Sequence, residues 1–388
     1  MYEKKPKKFE VSALNLPGHN DRWDLLRAVT KQMDERRIRE REKVRGELKA
    51  AGVPVPAEIV AKLAQLRPAD VRDVLLDHVG FETWDRYESY KSSLRVFERA
   101  VSDLIQTIGD FEVAAQSDIL SRHQSGKLDD IEQAIQKELF ATVSAAHSLV
   151  DHSRRLQQLV SVPSYETKRN ESFGEDGLHE LVIGIRTLLH HLRIIRTGWR
   201  LETGFDSGST KASFTLDLDQ VRFAVERSSF SSIALARILA YIDCLLPGPL
   251  DLKPVFQEYH RRASVFHGWY GEELASPKLI ALRDCELCLL ENKKFGARTW
   301  WRAMLGNWLN WKNPPNPYDH LSRFLTVEEL EEIYRLPMQS EEQVDKVIEY
   351  FDRDRACDAG LRKMAYQLFS RANPPGHRDF KVGESAPV

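Results

Sequence analysis

The sequence predicts an all-α protein, a multi-helix bundle with one β-hairpin inserted and further helical segments at both ends. Three observations carry that expectation. Apolar residues recur at three- and four-residue intervals along most of the chain, the period of a helix with one buried face. Proline-containing breaks separate those runs. Only near residues 199–218 does the period shorten to two.

Composition sets the limits. The 388 residues exceed what one small core organises, so two or three helical units are expected. A chain that is 42% apolar and 29% charged is ordered and globular. The net charge of −2 gives no global attraction to nucleic acid or an anionic membrane, so any such contact must come from a local patch. The most apolar stretch, Ile233 to Leu246, is interrupted by Arg237 and Asp243. It is also shorter than the roughly 20 apolar residues a membrane helix needs, so no membrane partner is expected. Four cysteines make no disulfide framework in so long a chain, which points to a reducing cytoplasm.

In chain order, residues 1–20 form a basic arm with Lys4, Lys5, Lys7 and Lys8, expected to be flexible. Residues 21–125 form an N-terminal helical and coil region. Its first part, Asp21 to Ala51, is densely charged and reads as a long solvated helix or a coil that seeks a protein partner. Two shorter helices over 56–79 break at Pro68, which suits a first helical position. From Glu82 to Ile108, Tyr87, Tyr90, Leu94, Phe97, Val101, Leu104 and Ile105 share one stripe.

The central bundle is expected over 126–312. It begins with a long amphipathic helix from Asp129 to Val160, then a polar loop from Ser164 to Asp176 and a strongly apolar helix from Gly177 to Thr197. Trp199, Leu201 and Thr203, then Phe214, Leu216 and Leu218, alternate on either side of a Gly- and Ser-rich loop, giving the hairpin at 199–218. Helices from Gln220 to Cys244, Pro254 to Leu274 and Pro277 to Trp311 complete the bundle. Pro314, Pro315 and Pro317 mark the boundary to a small helical domain over 318–372, and 373–388 reads as a disordered tail.

The helix from Gly177 holds the candidate chemistry. At about 100° per residue, Leu181, Ile185, Leu188, Leu192 and Ile195 form an apolar seam, while His179, Arg186, His190 and Arg193 fall opposite it within about 60°. Such a row suits a wet face paired with acidic neighbours. It equally suits an anion site, because guanidinium presents a donor fork and imidazole exchanges a proton near neutrality.

Within that helix, GIRTLLHH resembles the signature of HEPN domains, helical bundles whose motif is an Arg, four to six residues, then a His, often with a polar residue after the Arg. Here Arg186 and His191 have four residues between them and Thr187 fills the polar slot. The preceding segment ELFATVSAAHSLVDHSRRL and the loop after it are similar to the arrangement in that superfamily, and the likeness spans roughly residues 126–300. The resemblance implies a HEPN-like core and a metal-independent endoribonuclease of the toxin or anti-phage defence kind that works as a homodimer on RNA. It implies His191 as general base on a ribose 2′-hydroxyl and Arg186 as the group that stabilises charge on the phosphate, with no cofactor and no metal. Residues five apart on a regular helix diverge by about 140°, whereas Arg186 and His190 share a face, so His190 is a second candidate base. Arg262–His267 repeats the spacing and Arg371–His377 comes within its range. A non-catalytic scaffold or RNA-binding protein that retains the fold is the alternative.

Further residues would extend the site. His179 and Arg193, with Arg154 and Arg155 at the end of the preceding helix, would line an RNA groove; the latter two also suit a helix C-terminus as dipole partners. His147 and Asp151 stand four apart, a workable ligand spacing with no carboxylate-rich partner motif. Cys285 and Cys288 read as core thiols, because Cys244 and Cys357 supply no second close pair. Trp300, Trp301, Trp308 and Trp311 among Arg298, Arg302 and Lys312 could stack bases, or could form core or an interface. No phosphate loop, nucleophile elbow or dinucleotide fingerprint is present.

Overall fold

The computed structural model describes residues 19–115, 125–191, 197–203, 210–246 and 248–373. Helices dominate the described residues, with one three-stranded antiparallel sheet, as the apolar periodicity requires. The expected basic arm, apart from residues 19 and 20, and the expected tail beyond residue 373 lie outside the described residues. No described helix is long and apolar enough to cross a membrane. The chain divides into two units, residues 82–282 and a second made of residues 1–81 with 283–388.

The unit over 82–282 is built on α4 (Phe81–Ala114), α5 (Ser125–Val160), α6 (Tyr165–Phe173), α7 (Leu178–His191), α8 (Leu218–Glu226), α9 (Ser232–Leu245) and α10 (Leu252–Leu274). The stripe expected on α4 is inward: Tyr90, Phe97, Val101 and Leu104 are buried, with Tyr87, Leu94 and Ile105 packed beside them. They share one core with Ile135, Leu139 and Val143 of α5, Leu181, Ile185 and Leu188 of α7, and Phe256, Tyr259 and Phe266 of α10. Each fully buried side chain of this kind contributes about 1.5–3 kcal/mol, which is why α4 packs with this bundle.

The hairpin is β1 (Thr197–Thr203) paired antiparallel with β2 (Thr210–Leu216), in a register that sets Trp199 opposite Phe214. A two-residue strand, β3 (Leu250–Asp251), adds to β2, too short to leave a pattern in sequence. Phe214 and Leu216 point into the core, Phe214 meeting Phe111 edge to face at 5.7 Å. The alternation stops before Leu218, because the Asp217 carboxylate accepts from the backbone N–H groups of Asp219 and Gln220 and starts α8.

Within the unit over 82–282, two helical segments differ from expectation. The stretch from Ser164 to Asp176 is not all loop: α6 forms there, anchored at its ends by buried Tyr165 and Phe173. The single helix expected from Gln220 to Cys244 is two, because Ser231 caps α9 by accepting from Ala234 N–H, and a serine-rich turn separates it from α8.

In the other unit, α1 (His19–Ala50) precedes α2 (Ala57–Ala64) and α3 (Pro68–Leu75), with Pro68 in the first turn as expected. The charges of α1 are not simply solvated. Arg37, Arg41 and Arg45 reach Asp70, Asp73 and Asp77 at 3.6, 3.4 and 3.3 Å. Val44 and Leu48 are buried, whereas Trp23, Leu26, Val29 and Met33 nearer its start are exposed.

α11 (Ile280–Leu309) then carries two buried polar clips. The Asp284 carboxylate accepts from Val55 N–H at 2.8 Å and lies 3.2 Å from His78 Nε2. The Asn292 amide donates to the carbonyls of Leu63, Ala64 and Leu66, closing the C-terminus of α2. α12 (Tyr318–Leu321), α13 (Val327–Tyr334), α14 (Glu341–Phe351) and α15 (Ala359–Ser370) follow. Buried Gln343 ties them, accepting from Tyr318 Oη at 2.8 Å and donating to the Ile333 carbonyl.

Candidate active site

α7 is held close against α9 by its first residue's neighbour. Gly177 has φ +88°, and a Cβ there would lie 2.1 Å from the Arg237 carbonyl oxygen, so only glycine allows this approach. Leu181, Val182, Ile185 and Leu188 then bury completely. The remaining faces of the helix present the polar residues, and the structure divides the row expected there.

His179 turns inward. Its ring stacks on Tyr259 with centroids 6.0 Å apart, lies 4.8 Å from Phe173, and its Nδ1 is 3.3 Å from the Tyr259 hydroxyl. Burial lowers its pKa to about 4, so it is a neutral packing residue and not the RNA contact expected from the sequence. Arg186, one residue beyond the buried Ile185, is half-buried beside α5. There it lies near enough to His147 to disfavour the protonated imidazole.

His147 therefore sits among four influences, three of which are these. Desolvation lowers its pKa most, the Arg186 charge lowers it further, and Asp151, with Oδ2 3.7 Å from Nδ1, opposes both. The net shift is downward, which leaves a neutral imidazole beside a guanidinium at pH 7. None of the ion pairs among the described residues involves Arg186. The same holds for Arg154 and Arg155, both exposed at the end of α5, and the Arg154 charge also acts on His147. The face thus combines a proton acceptor, a carboxylate that can orient it and cations with no carboxylate partner among the described residues.

The backbone of His190 and His191 closes α7, but their side chains, and the whole of Arg193, lie outside the described residues. The candidate bases that the resemblance names are therefore joined by a further candidate from another helix, His147. His147 was visible in sequence through its spacing to Asp151, as a pair of metal ligands; its approach to Arg186 depends on how α5 and α7 pack. No third His, Cys, Asp or Glu stands with His147 and Asp151 among the described residues.

The second Arg–His spacing has a different fate. Arg262 grips Asp176 with two hydrogen bonds of 2.9 and 2.7 Å and donates to Glu258 at 2.7 Å. His267 is buried, 3.0 Å from Tyr90 Oη, and its pKa falls to about 3 through burial. This pair is fully engaged in structure. Arg371 donates to the Leu309 carbonyl, and its expected partner His377 lies outside the described residues.

Cys285 and Cys288 are completely buried, and burial pushes both thiols up to about 12, the state of inert core thiols. The cations among the tryptophans are committed: Arg298 donates to the Ala356 carbonyl and Arg302 pairs with Asp358. No protein-family model matches this chain, and neither a curated protein nor a solved structure matches it.

Proposed function

We propose that the protein is a metal-independent endoribonuclease with a HEPN-like bundle, in which Arg186 receives the scissile phosphate and a neutral imidazole takes the proton of the ribose 2′-hydroxyl. The single observation that supports this most is a half-buried guanidinium, in no ion pair among the described residues, next to an imidazole whose pKa is lowered. In the reaction, the 2′ oxygen forms a bond to phosphorus, the bond from phosphorus to the 5′ oxygen breaks, and that oxygen leaves as an alcohol after taking a proton from water. The products are a 2′,3′-cyclic phosphate and a free 5′-hydroxyl. Arg186, with Arg154 and Arg155 along the approach, offsets the charge that develops on the phosphoryl oxygens. His147 is the base in this reading, and His191 and His190 are the alternatives that the family resemblance supplies.

The reading includes a homodimer, for which the exposed Trp23, Leu26, Val29 and Met33 on α1 offer one apolar contact stripe. It assigns a cytoplasmic setting and a toxin or defence role, consistent with four free cysteines.

The test is incubation of purified protein with total RNA and with tRNA, in EDTA. Wild type cleaves, and Arg186→Ala lowers cleavage by about 10²-fold or more, the scale of losing one charge-stabilising donor. His147→Ala compared with His191→Ala and His190→Ala identifies the base. The acid limb of the rate profile lies below the ordinary imidazole value of about 6.5, because His147 releases its proton early. RNA binding with no cleavage by wild type would instead establish the scaffold reading.

A further inference from the structure

The four helices at the end of the second unit do not close on one another. The C-terminal half of α11, the end of α12, α14 and α15 surround a cavity of about 580 Å³. That volume falls in the range of ligand sites, about 300–1,000 Å³. One wall is a helical face of α11, with Trp301, Leu305 and Trp308; the opposite walls include Phe351 and Leu368. The interior is apolar and well packed around its rim, with Leu305, Leu321, Val347, Leu361 and Leu368 all buried. At the mouth, Trp300 and Phe324 stay exposed. Apolar surface collected in a concavity, and left open, is a recognition feature in soluble domains.

Charge selects the occupant. The lining contains three ionisable groups besides the Cys357 thiol: His320, Arg323 and Asp352. Asp352 is occupied, because its two carboxylate oxygens accept from the backbone N–H groups of Ala356 and Cys357, each at 2.7 Å. Arg323 and His320 are exposed and take part in no ion pair among the described residues. The cavity is therefore an apolar chamber whose lining carries one guanidinium, that of Arg323, in no ion pair among the described residues. A partner helix would need an open groove; walls contributed by four helices enclose a small molecule better.

We propose that this cavity binds a single-chain amphiphile with an anionic head, a medium-chain fatty carboxylate, with the hydrocarbon between Trp301, Trp308 and Leu368 and the carboxylate on the Arg323 guanidinium. The planar fork of arginine matches a carboxylate with two parallel hydrogen bonds, and burying the chain supplies the affinity. The site is independent of the cleavage chemistry assigned to α5 and α7.

The experiment titrates the full-length protein with dodecanoate, dodecanol and dodecyltrimethylammonium below their micelle concentrations, read by calorimetry and by tryptophan emission. Dodecanoate saturates at one per chain and binds about tenfold or more tighter than the ammonium compound, the scale of one charged hydrogen-bonded contact. Arg323→Glu removes that preference while dodecanol binding is unchanged; this surface substitution leaves the fold intact. Ala365→Phe, which fills the chamber, abolishes binding of all three. Absence of saturable binding overturns the proposal. So does a preference that survives Arg323→Glu, or self-association of the protein through this face that competes with dodecanoate.

Discussion

Two surfaces of this protein are left with unfinished business, and they are opposites. The face of α5 and α7 keeps a neutral imidazole and cations in no ion pair among the described residues over a closed core, whereas the end of α11 with α12, α14 and α15 keeps an open apolar chamber and little charge. Each feature costs stability in its own unit, through crowded like charges in one and unfilled apolar volume in the other. Regions that break the usual rules of satisfaction are where function concentrates. The contrast is sharpest between the two Arg–His spacings of one bundle. Arg262 and His267 have every partner they need, and Arg186 has none among the described carboxylates.

The largest expected effect tests that contrast directly. Arg186→Ala reduces RNA cleavage by about 10²-fold or more while the thermal midpoint stays within a few degrees of wild type. Arg262→Ala does the reverse: it leaves Asp176 and Glu258 without their cation and lowers the thermal midpoint, while cleavage per folded molecule persists. Loss of activity in Arg262→Ala at unchanged fold would erase the distinction between the two motifs.

A second substitution probes how α7 is held. Gly177→Ala forces a Cβ into the Arg237 carbonyl at a positive φ, so α7 must shift or the start of the helix must unwind. The expected loss is about 3–5 kcal/mol in urea unfolding, with cleavage lost alongside because Arg186 moves with the helix. Wild-type stability in this variant would show that the contact with α9 is not what positions the site.

Acid sharpens the comparison among histidines. The pKa values of His179 and His267 fall to about 4 and about 3 in the folded state, against an ordinary value of about 6.5. Between those limits the unfolded chain binds protons that the native protein refuses, so stability is full above about pH 6.5 and declines as pH drops. The decline from pH 6.5 to 4.5 is on the order of 3–5 kcal/mol, visible as a falling urea midpoint. His267→Phe keeps a ring in the same place and flattens the slope by one proton. A slope indifferent to that change would mean that other groups control acid unfolding.

Much of the fold was legible because it follows from local chemistry. The α4 stripe, the break at Pro68 and the hairpin are written in residues a few positions apart. α6 was not legible, since YETKRNESF has only Tyr165 and Phe173 as apolar anchors, one at each end. The division between α8 and α9 rests on a single serine cap. For the candidate site, Arg186 could be found from periodicity alone, and so could the spacing of His147 to Asp151. Their meeting depends on the rotation of α5 against α7, which no periodicity encodes. The chamber is harder still: Trp301 and Trp308 share a face in sequence, but its other walls arrive from segments up to some 60 residues later, in α12, α14 and α15.

The smallest effect concerns a polar group that is buried and satisfied, the counterpart of Arg186, which forms no ion pair among the described residues. Asn292 is 6% exposed, and its single amide nitrogen serves the carbonyls of Leu63, Ala64 and Leu66 at 3.3, 2.9 and 2.8 Å. The Ala64 carbonyl is one that the C-terminus of α2 leaves open and Leu66 follows just beyond, so the side chain adds to a cap that Gln65, with φ −84° and ψ −11°, does not provide by a left-handed turn. Asn292→Ala removes this donor from the Ala64 and Leu66 carbonyls, while Leu63 keeps the Leu66 N–H at 3.0 Å, and costs about 1–3 kcal/mol. Asn292→Leu fills the same space without a donor and recovers none of it, whereas Asn292→Gln recovers part. The measurement is urea unfolding of the three variants followed by hydrogen exchange over residues 57–66. If Leu proves as stable as Asn, packing and not the amide joins α2 to α11, and the buried clips of this unit lose their assigned role.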